Sequence, residues 1–201
     1  MILALVGLAF TPRPVADPEK GKEYYQTCLT CHGPNGEGNT PLNAPRLTDQ
    51  ADWYLIRQLE NFQSGLRGSH AEDILGVQMQ AMAATLPDAQ AIKDVVEYIA
   101  TLEAPPPPPT ETGGDPENGE TLFATCVACH GPAGEGMEAL GGPRLSGQHD
   151  WYLTRQLQHF QSGIRGTDPD DLYGAQMRAL APTLPNAQAI KDVVAYIQTL
   201  E

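Results

Sequence analysis

Residues 17–103 align with residues 115–201 at a constant offset of 98 and without a gap, and about three in five of the aligned pairs are identical. Two stretches this alike must share one fold, so the 201-residue chain is a duplicated domain rather than one large unit. The repeat divides the chain into an apolar N-terminal piece (1–16), a first domain (17–103), a connection (104–114) and a second domain (115–201). It also acts as an internal control. A residue required by chemistry common to both halves must recur 98 positions on.

The pattern within each copy is helical. Asp17-Pro18-Glu19 and Asp115-Pro116-Glu117 each offer a capping side chain, a proline at the first helical position and an acid in the first turn. Gly21 and Gly119 fall inside the helix that follows, where glycine costs about 1 kcal/mol against alanine, which predicts close approach of another helix. Asp52 and Asp150 are expected to cap a second helix, whose apolar positions Leu55, Leu59 and Phe62 (Leu153, Leu157 and Phe160) share one face and which ends at Gly65 or Gly163. A last helix starts after Asp88 or Asn186 and buries Ile92, Val95, Val96, Ile99 and Leu102, or Ile190, Val193, Val194, Ile197 and Leu200. Tyr98 and Tyr196 are placed to meet the early glycines. No alternating strand pattern occurs, so the expected class is all-α.

The first helix of each copy runs into the same motif, Cys28-Leu29-Thr30-Cys31-His32 and Cys126-Val127-Ala128-Cys129-His130. Positions i, i+3 and i+4 of a helix share a face, so both thiols and the imidazole of each copy converge on one partner. That chemistry suits haem c: two thioethers to one porphyrin, with the histidine reaching the iron. A zinc site needs further ligands, and all four cysteines lie inside the two motifs, leaving formally one zinc shared by four thiolates. A thioredoxin-like dithiol needs a strand before the motif, and none is present. The expected cofactors are two covalently bound haem c groups.

An iron bound by one histidine needs a second axial ligand if it is only to carry electrons, and methionine sulfur raises the potential. Met79 aligns with Met177, each 47 positions after its histidine, and they are the one methionine pair the halves share. They are therefore expected to ligate the iron beside His32 and His130, whereas Met82, opposite Leu180, reads as core filler. His70, His149 and His159 face Asp168, Ala51 and Asn61 in the alignment and are read as surface histidines. Pro45 and Pro143 can offer the carbonyls that orient the ligating imidazoles. Donors for the haem propionates are sought among Arg57 and Arg155, Trp53 and Trp151, Tyr54 and Tyr152, and Gln50 and Gln148, for which solvated helix surface is the competing reading.

With 12 Lys+Arg against 25 Asp+Glu the formal net charge is -13, and neither half has a basic cluster, which excludes nucleic acid as a partner. The acidity reads as a solvated surface, with partner steering as a secondary role. Between the copies, five consecutive prolines in 104–114 favour polyproline II, a semi-rigid spacer of about 3.1 Å per residue. The apolar run 2–10, ILALVGLAF, has about the length of a signal-peptide core and is too short to span a bilayer. No basic flank precedes it and Pro14-Val15-Ala16 is a poor cleavage site, so a cleaved signal, a retained anchor and a stretch buried against a partner all stand as readings.

Through Cys126-Val127-Ala128-Cys129-His130-Gly131-Pro132, Gly147-Gln148-His149 with Tyr152, Gln156-Leu157 and Phe160, and Met177-Arg178 leading to Leu184, the chain resembles the di-haem cytochromes c4, tandem class I c-type cytochromes. It is similar too to the diheme subunit of flavocytochrome c. The resemblance covers nearly the whole chain from Asp17. It implies two tandem class I cytochrome c domains related by a pseudo-twofold, haems facing each other across the interface, and His/Met ligation. It further implies single-electron transfer in the periplasm, from a quinol-oxidising complex to a terminal oxidase, with no substrate chemistry of its own. A cytochrome subunit held permanently by a flavin or quinone dehydrogenase is the alternative; a di-haem peroxidase or thiosulfate dehydrogenase would need an open or unusually ligated iron. Membrane association, through residues 1–16 or through a partner complex, is compatible with either carrier reading.

Overall fold

The structure, a computed structural model, describes residues 15–200 and is all-helical. The apolar run 2–10 lies outside the described residues. In the first domain, α1 (Pro18–His32) is followed by α2 (Asp52–Ser64), α3 (Ile74–Ala83) and α4 (Ala89–Ala100). The second repeats the order as α5 (Pro116–Phe123), α6 (Val127–His130), α7 (Asp150–Ser162), α8 (Leu172–Leu180) and α9 (Ala187–Ile197). Among the described residues the only β-pairing is two isolated bridges, and no helix is long and apolar enough to cross a membrane.

The N-caps at Asp17 and Asp115 form as expected, each carboxylate accepting two backbone N–H groups of the first turn. The helix that Gly21 admits is α4. A Cβ there would lie 1.9 Å from the Asp94 carbonyl oxygen and 2.8 Å from the Tyr98 Cβ; Gly119 meets Asp192 and Tyr196 in the same way. Each domain thus centres on its first and last helices crossing at backbone contact. Around the crossing lie Tyr25, Leu55, Leu86, Ile92, Val95, Val96 and Ile99, and in the second domain Phe123, Leu153, Leu184, Ile190, Val193, Val194 and Ile197.

Two expectations need correction, and one helix per domain is added to those read from sequence. The helix entering the second motif is broken between Phe123 and Val127. There the Thr125 hydroxyl donates to the Leu122 carbonyl, the acceptor that Cys126 N–H would use in an unbroken helix, and Cys126 N–H turns to Phe123 O at 2.7 Å. The caps of α2 and α7 are Ala51 and His149, without a side-chain bond, and Asp52 and Asp150 are already helical. Finally, the stretch carrying Met79 and Met177 is a helix in each domain, α3 and α8, capped by Asp73 and Asp171, which accept from Gly76 N–H and Gly174 N–H.

Freed from capping, Asp150 is buried and fastens the connection onto the second domain. Its carboxylate accepts from the Thr110 hydroxyl (2.8 Å), from Glu111 N–H (2.6 Å) and from Thr110 N–H. Arg46 donates to the Ala104 carbonyl and Gln188 to the Gly113 carbonyl, so the connection is anchored on both sides of its mostly exposed proline run. Burial alone would raise the Asp150 pKa, but the converging donors outweigh it and hold the carboxyl below the usual range. A folded pKa below the unfolded one means that the clasp stabilises the fold above the ordinary Asp range and weakens as pH falls through the folded value. Asp150→Ala is expected to remove about 1.5–3 kcal/mol and to speed proteolytic cutting within 104–114; an unchanged cleavage rate would dissociate Asp150 from the docking.

Candidate haem sites and the interface between them

The first motif forms the C-terminal end of α1, whereas in the second Cys126 caps the short α6, which holds Cys129 and His130. His32 and His130 are buried, and each ring donates Nδ1–H to a proline carbonyl, Pro45 O and Pro143 O, at 2.8 Å in both domains. That bond fixes the tautomer, leaving Nε2 as the lone-pair nitrogen for a metal. Burial lowers the pKa of both imidazoles, more than the carbonyl bond raises it, so they stay neutral, the ligating form.

The thiols are all free. Burial, with Cys31 second, pushes the Cys28 thiol up to about 11, and burial likewise raises Cys126. A redox dithiol needs the opposite, a depressed pKa. Among the described residues no three His, Cys, Asp or Glu side chains converge into a metal cluster, so the four cysteines do not assemble a shared zinc site. What fits is a group that needs two thiols for covalent attachment and one neutral imidazole, once per domain. Met79 and Met177 are half-buried on α3 and α8, helices that pack against α2 and α7 of their own domains, while Met82 is exposed rather than core.

The recurring polar residues near the second helix face the opposite domain. Arg57 donates to the Gly141 carbonyl at 2.8 Å and lies 4.1 Å from the Tyr173 ring centroid; its equivalent Arg155 donates to Asn43. Trp151 Nε1–H reaches the Thr40 hydroxyl at 3.2 Å, and Trp53 lies under Arg57. Gln50 bonds the Arg144 backbone and Gln148 the Arg46 backbone. Residues equivalent under the repeat exchange equivalent bonds, which is what a pseudo-twofold requires. Gln50, Gln148 and Arg57 are thus buried or half-buried interface groups, while the bonds of Trp151 and Arg155 lie at the exposed rim.

A second network was not foreseen from sequence. Arg67 donates to Gln58 (2.7 Å) in its own domain and to Tyr152 and Gln156 (both 3.0 Å) in the other. Arg165 mirrors it, donating to Gln156 (2.6 Å), Gln58 (3.0 Å) and Tyr54 (3.4 Å). Desolvation would raise the Tyr54 phenol, but Arg165, Arg67 and Arg57 together lower it. The signal was available: both arginines recur at the offset, in Gly65-Leu66-Arg67-Gly68 and Gly163-Ile164-Arg165-Gly166. They were passed over because a glycine-flanked arginine after a helix reads as loop.

The three odd histidines divide. His70 is exposed, as expected. His149 is buried, stacked on Trp151 with Nε2–H donating to the Glu37 carbonyl at 3.1 Å across the interface, and its pKa is lowered chiefly by burial. His159 is largely covered, 3.9 Å from Asp73 of the other domain, and burial lowers its pKa too. The surface reading fails for these two because the pseudo-twofold folds their helix against the first domain.

Comparison with known proteins agrees with this geometry. The cytochrome c family profile matches residues 18–103 and again 116–201. Cytochrome c4 of Azotobacter vinelandii is 32% identical over 213 residues, covering 99% of this chain and 96% of its own. The thiosulfate dehydrogenase electron acceptor of Stutzerimonas stutzeri is 36% identical over 183 residues, covering 85% and 78%. The crystal structure of reduced cytochrome c4 from Pseudomonas stutzeri superimposes with a TM-score of 0.72 at 28% identity, over 93% of this chain and 100% of that one. Two haem-binding domains of one family, joined in tandem and matched along nearly their whole length, place this chain in the di-haem cytochrome c4 family of c-type cytochromes, whose members carry electrons.

Proposed function

We propose that Cys28 and Cys31 attach one haem and Cys126 and Cys129 the other, with His32 and Met79, and His130 and Met177, as the axial pairs. The observation that carries this is the twice-repeated Nδ1–H bond to Pro45 or Pro143, which spends one imidazole nitrogen and presents the other. Haem c, when bound, supplies the one-electron couple. The protein keeps the imidazole neutral and oriented and would supply a soft sulfur from Met79 on α3 or Met177 on α8, a ligand set suited to electron transfer rather than substrate chemistry. Arg57, Arg155 and Trp151, which bond the opposite domain, and Trp53 beside Arg57 would be the donors for haem propionates.

The chain acts as a periplasmic carrier between a quinol-oxidising complex and a terminal oxidase. A dedicated electron acceptor of a dehydrogenase is the second reading, favoured by the relative of Stutzerimonas stutzeri named for that role with thiosulfate dehydrogenase. Purification from the native membrane with identification of co-purifying subunits separates them: a stable dehydrogenase complex supports the second reading.

Met79→Ala is expected to lower the potential of the first domain's haem and Met177→Ala that of the second, each by a substantial part of the roughly 0.8 V range that axial ligands span. A redox titration with both transitions unmoved would remove the methionines from the iron.

A further inference from the structure

The peptide unit joining Pro45 to Arg46 is bonded at both ends. Its carbonyl accepts Nδ1–H of His32 at 2.8 Å, and its N–H donates to Oε1 of Gln148, from the other domain, at 3.0 Å. The unit joining Pro143 to Arg144 does the same, between His130 at 2.8 Å and Gln50 Oε1 at 3.1 Å. We propose that Gln50 and Gln148 are positioning residues, each tuning the haem of the opposite domain through this one shared peptide. The proposal rests on His32 and His130 being iron ligands, as argued above.

The physical link is short. A peptide is a planar resonant unit, so accepting its N–H polarises its C=O, and bonds chained in this way strengthen each other by about 10–30%. A better carbonyl acceptor draws harder on Nδ1–H and raises the donor strength of the free imidazole nitrogen. A stronger imidazole donor favours ferric iron and lowers the potential.

Both glutamines are locked in the orientation this needs. Gln148 Nε2 donates back to Arg46 O at 2.9 Å, and Gln50 Nε2 to Arg144 O at 2.9 Å. Each Oε1 also takes the N–H of the next residue, His149 at 2.9 Å and Ala51 at 3.1 Å, so two donors converge on it and the amide cannot be flipped.

The pair is not symmetric. Gln148 is buried, and beside it His149 holds the Glu37 carbonyl in the loop after His32. The counterpart of His149 is Ala51, which has nothing to offer the second domain's loop. The first domain's ligand loop is therefore gripped more firmly, and the effect of Gln148 should exceed that of Gln50.

The test uses the intact di-haem protein with Gln148→Met and Gln50→Met, which keep volume and delete the bonds. Redox titration follows both transitions, assigned to domains with Met79→Ala and Met177→Ala, and thermal melting runs in parallel. Gln148→Met is expected to raise the potential of the first domain's haem alone, and Gln50→Met, by a smaller shift, that of the second. Equal shifts in both haems, a shift in the mutated domain's own haem, or unmoved potentials in folded protein would overturn the proposal. Should Gln148→Met fail to fold, Gln50→Met decides by the same criteria. A wild-type protein lacking histidine-ligated low-spin absorption would instead refute the ligand assignment beneath it.

Discussion

Cys126→Ala combined with Cys129→Ala is expected to halve the haem absorbance and leave the second domain without a cooperative melt near that of the first. A domain of this size buries too little of its own chain to be robust: its core beyond the haem is Phe123, Leu153, Leu184, Ala189, Ile190, Val193, Val194 and Ile197. Net stability of a small domain is about 5–15 kcal/mol, and a group tethered to Cys126 and Cys129 would contribute binding energy that only the folded state receives. Without the thioethers the group is held by axial bonds alone and can leave. Two coincident, native-like circular dichroism transitions in the double variant would refute the idea that haem completes the core.

Gly21→Ala comes next in size, and here local and tertiary effects have opposite signs. By helix propensity alone alanine should stabilise α1 by about 1 kcal/mol. The added Cβ, however, would sit 1.9 Å from the Asp94 carbonyl oxygen, a backbone atom that can move only if α4 moves. Overpacking typically costs about 1–3 kcal/mol, and a clash with backbone puts this site at the upper end, so a net loss is expected, read as a lower denaturation midpoint at unchanged slope. Because α1 also carries Cys28, Cys31 and His32, its displacement should broaden the first haem's spectral transition as well. A midpoint equal to or above wild type would show that the helix crossing is looser than the structure has it.

Much of the fold was legible from periodicity and caps. The spacing of Ile92, Val95, Val96 and Ile99 specifies one buried face whatever it packs on, and the buried set agrees. Asp17, Asp88, Asp115 and Asn186 cap as read, because an Asx bond to the next turn depends on neighbouring residues only. The helices α3 and α8 were missed because their capping residues, Asp73 and Asp171, precede sequences with glycine inside the first turn and no clean apolar stripe. The break before α6 turns on whether one threonine hydroxyl takes a backbone carbonyl, a choice that residue type leaves open.

What the sequence by itself determined is the duplication, the helical class, the paired thiols and imidazole in each half, and which methionine recurs. Those are statements about spacing along one chain, and spacing survives folding. Only the tertiary structure decided what the polar residues between the halves do. Gln50, Gln148, Arg57, Arg67 and Arg165 look like ordinary helix or loop surface until a pseudo-twofold brings the other domain against them, and it then makes them groups that join the two domains. His149 passed from surface to interface, and Asp150 from helix cap to clasp, for the same reason. A side chain's partner across a domain boundary depends on rigid-body placement, and local sequence carries no record of it.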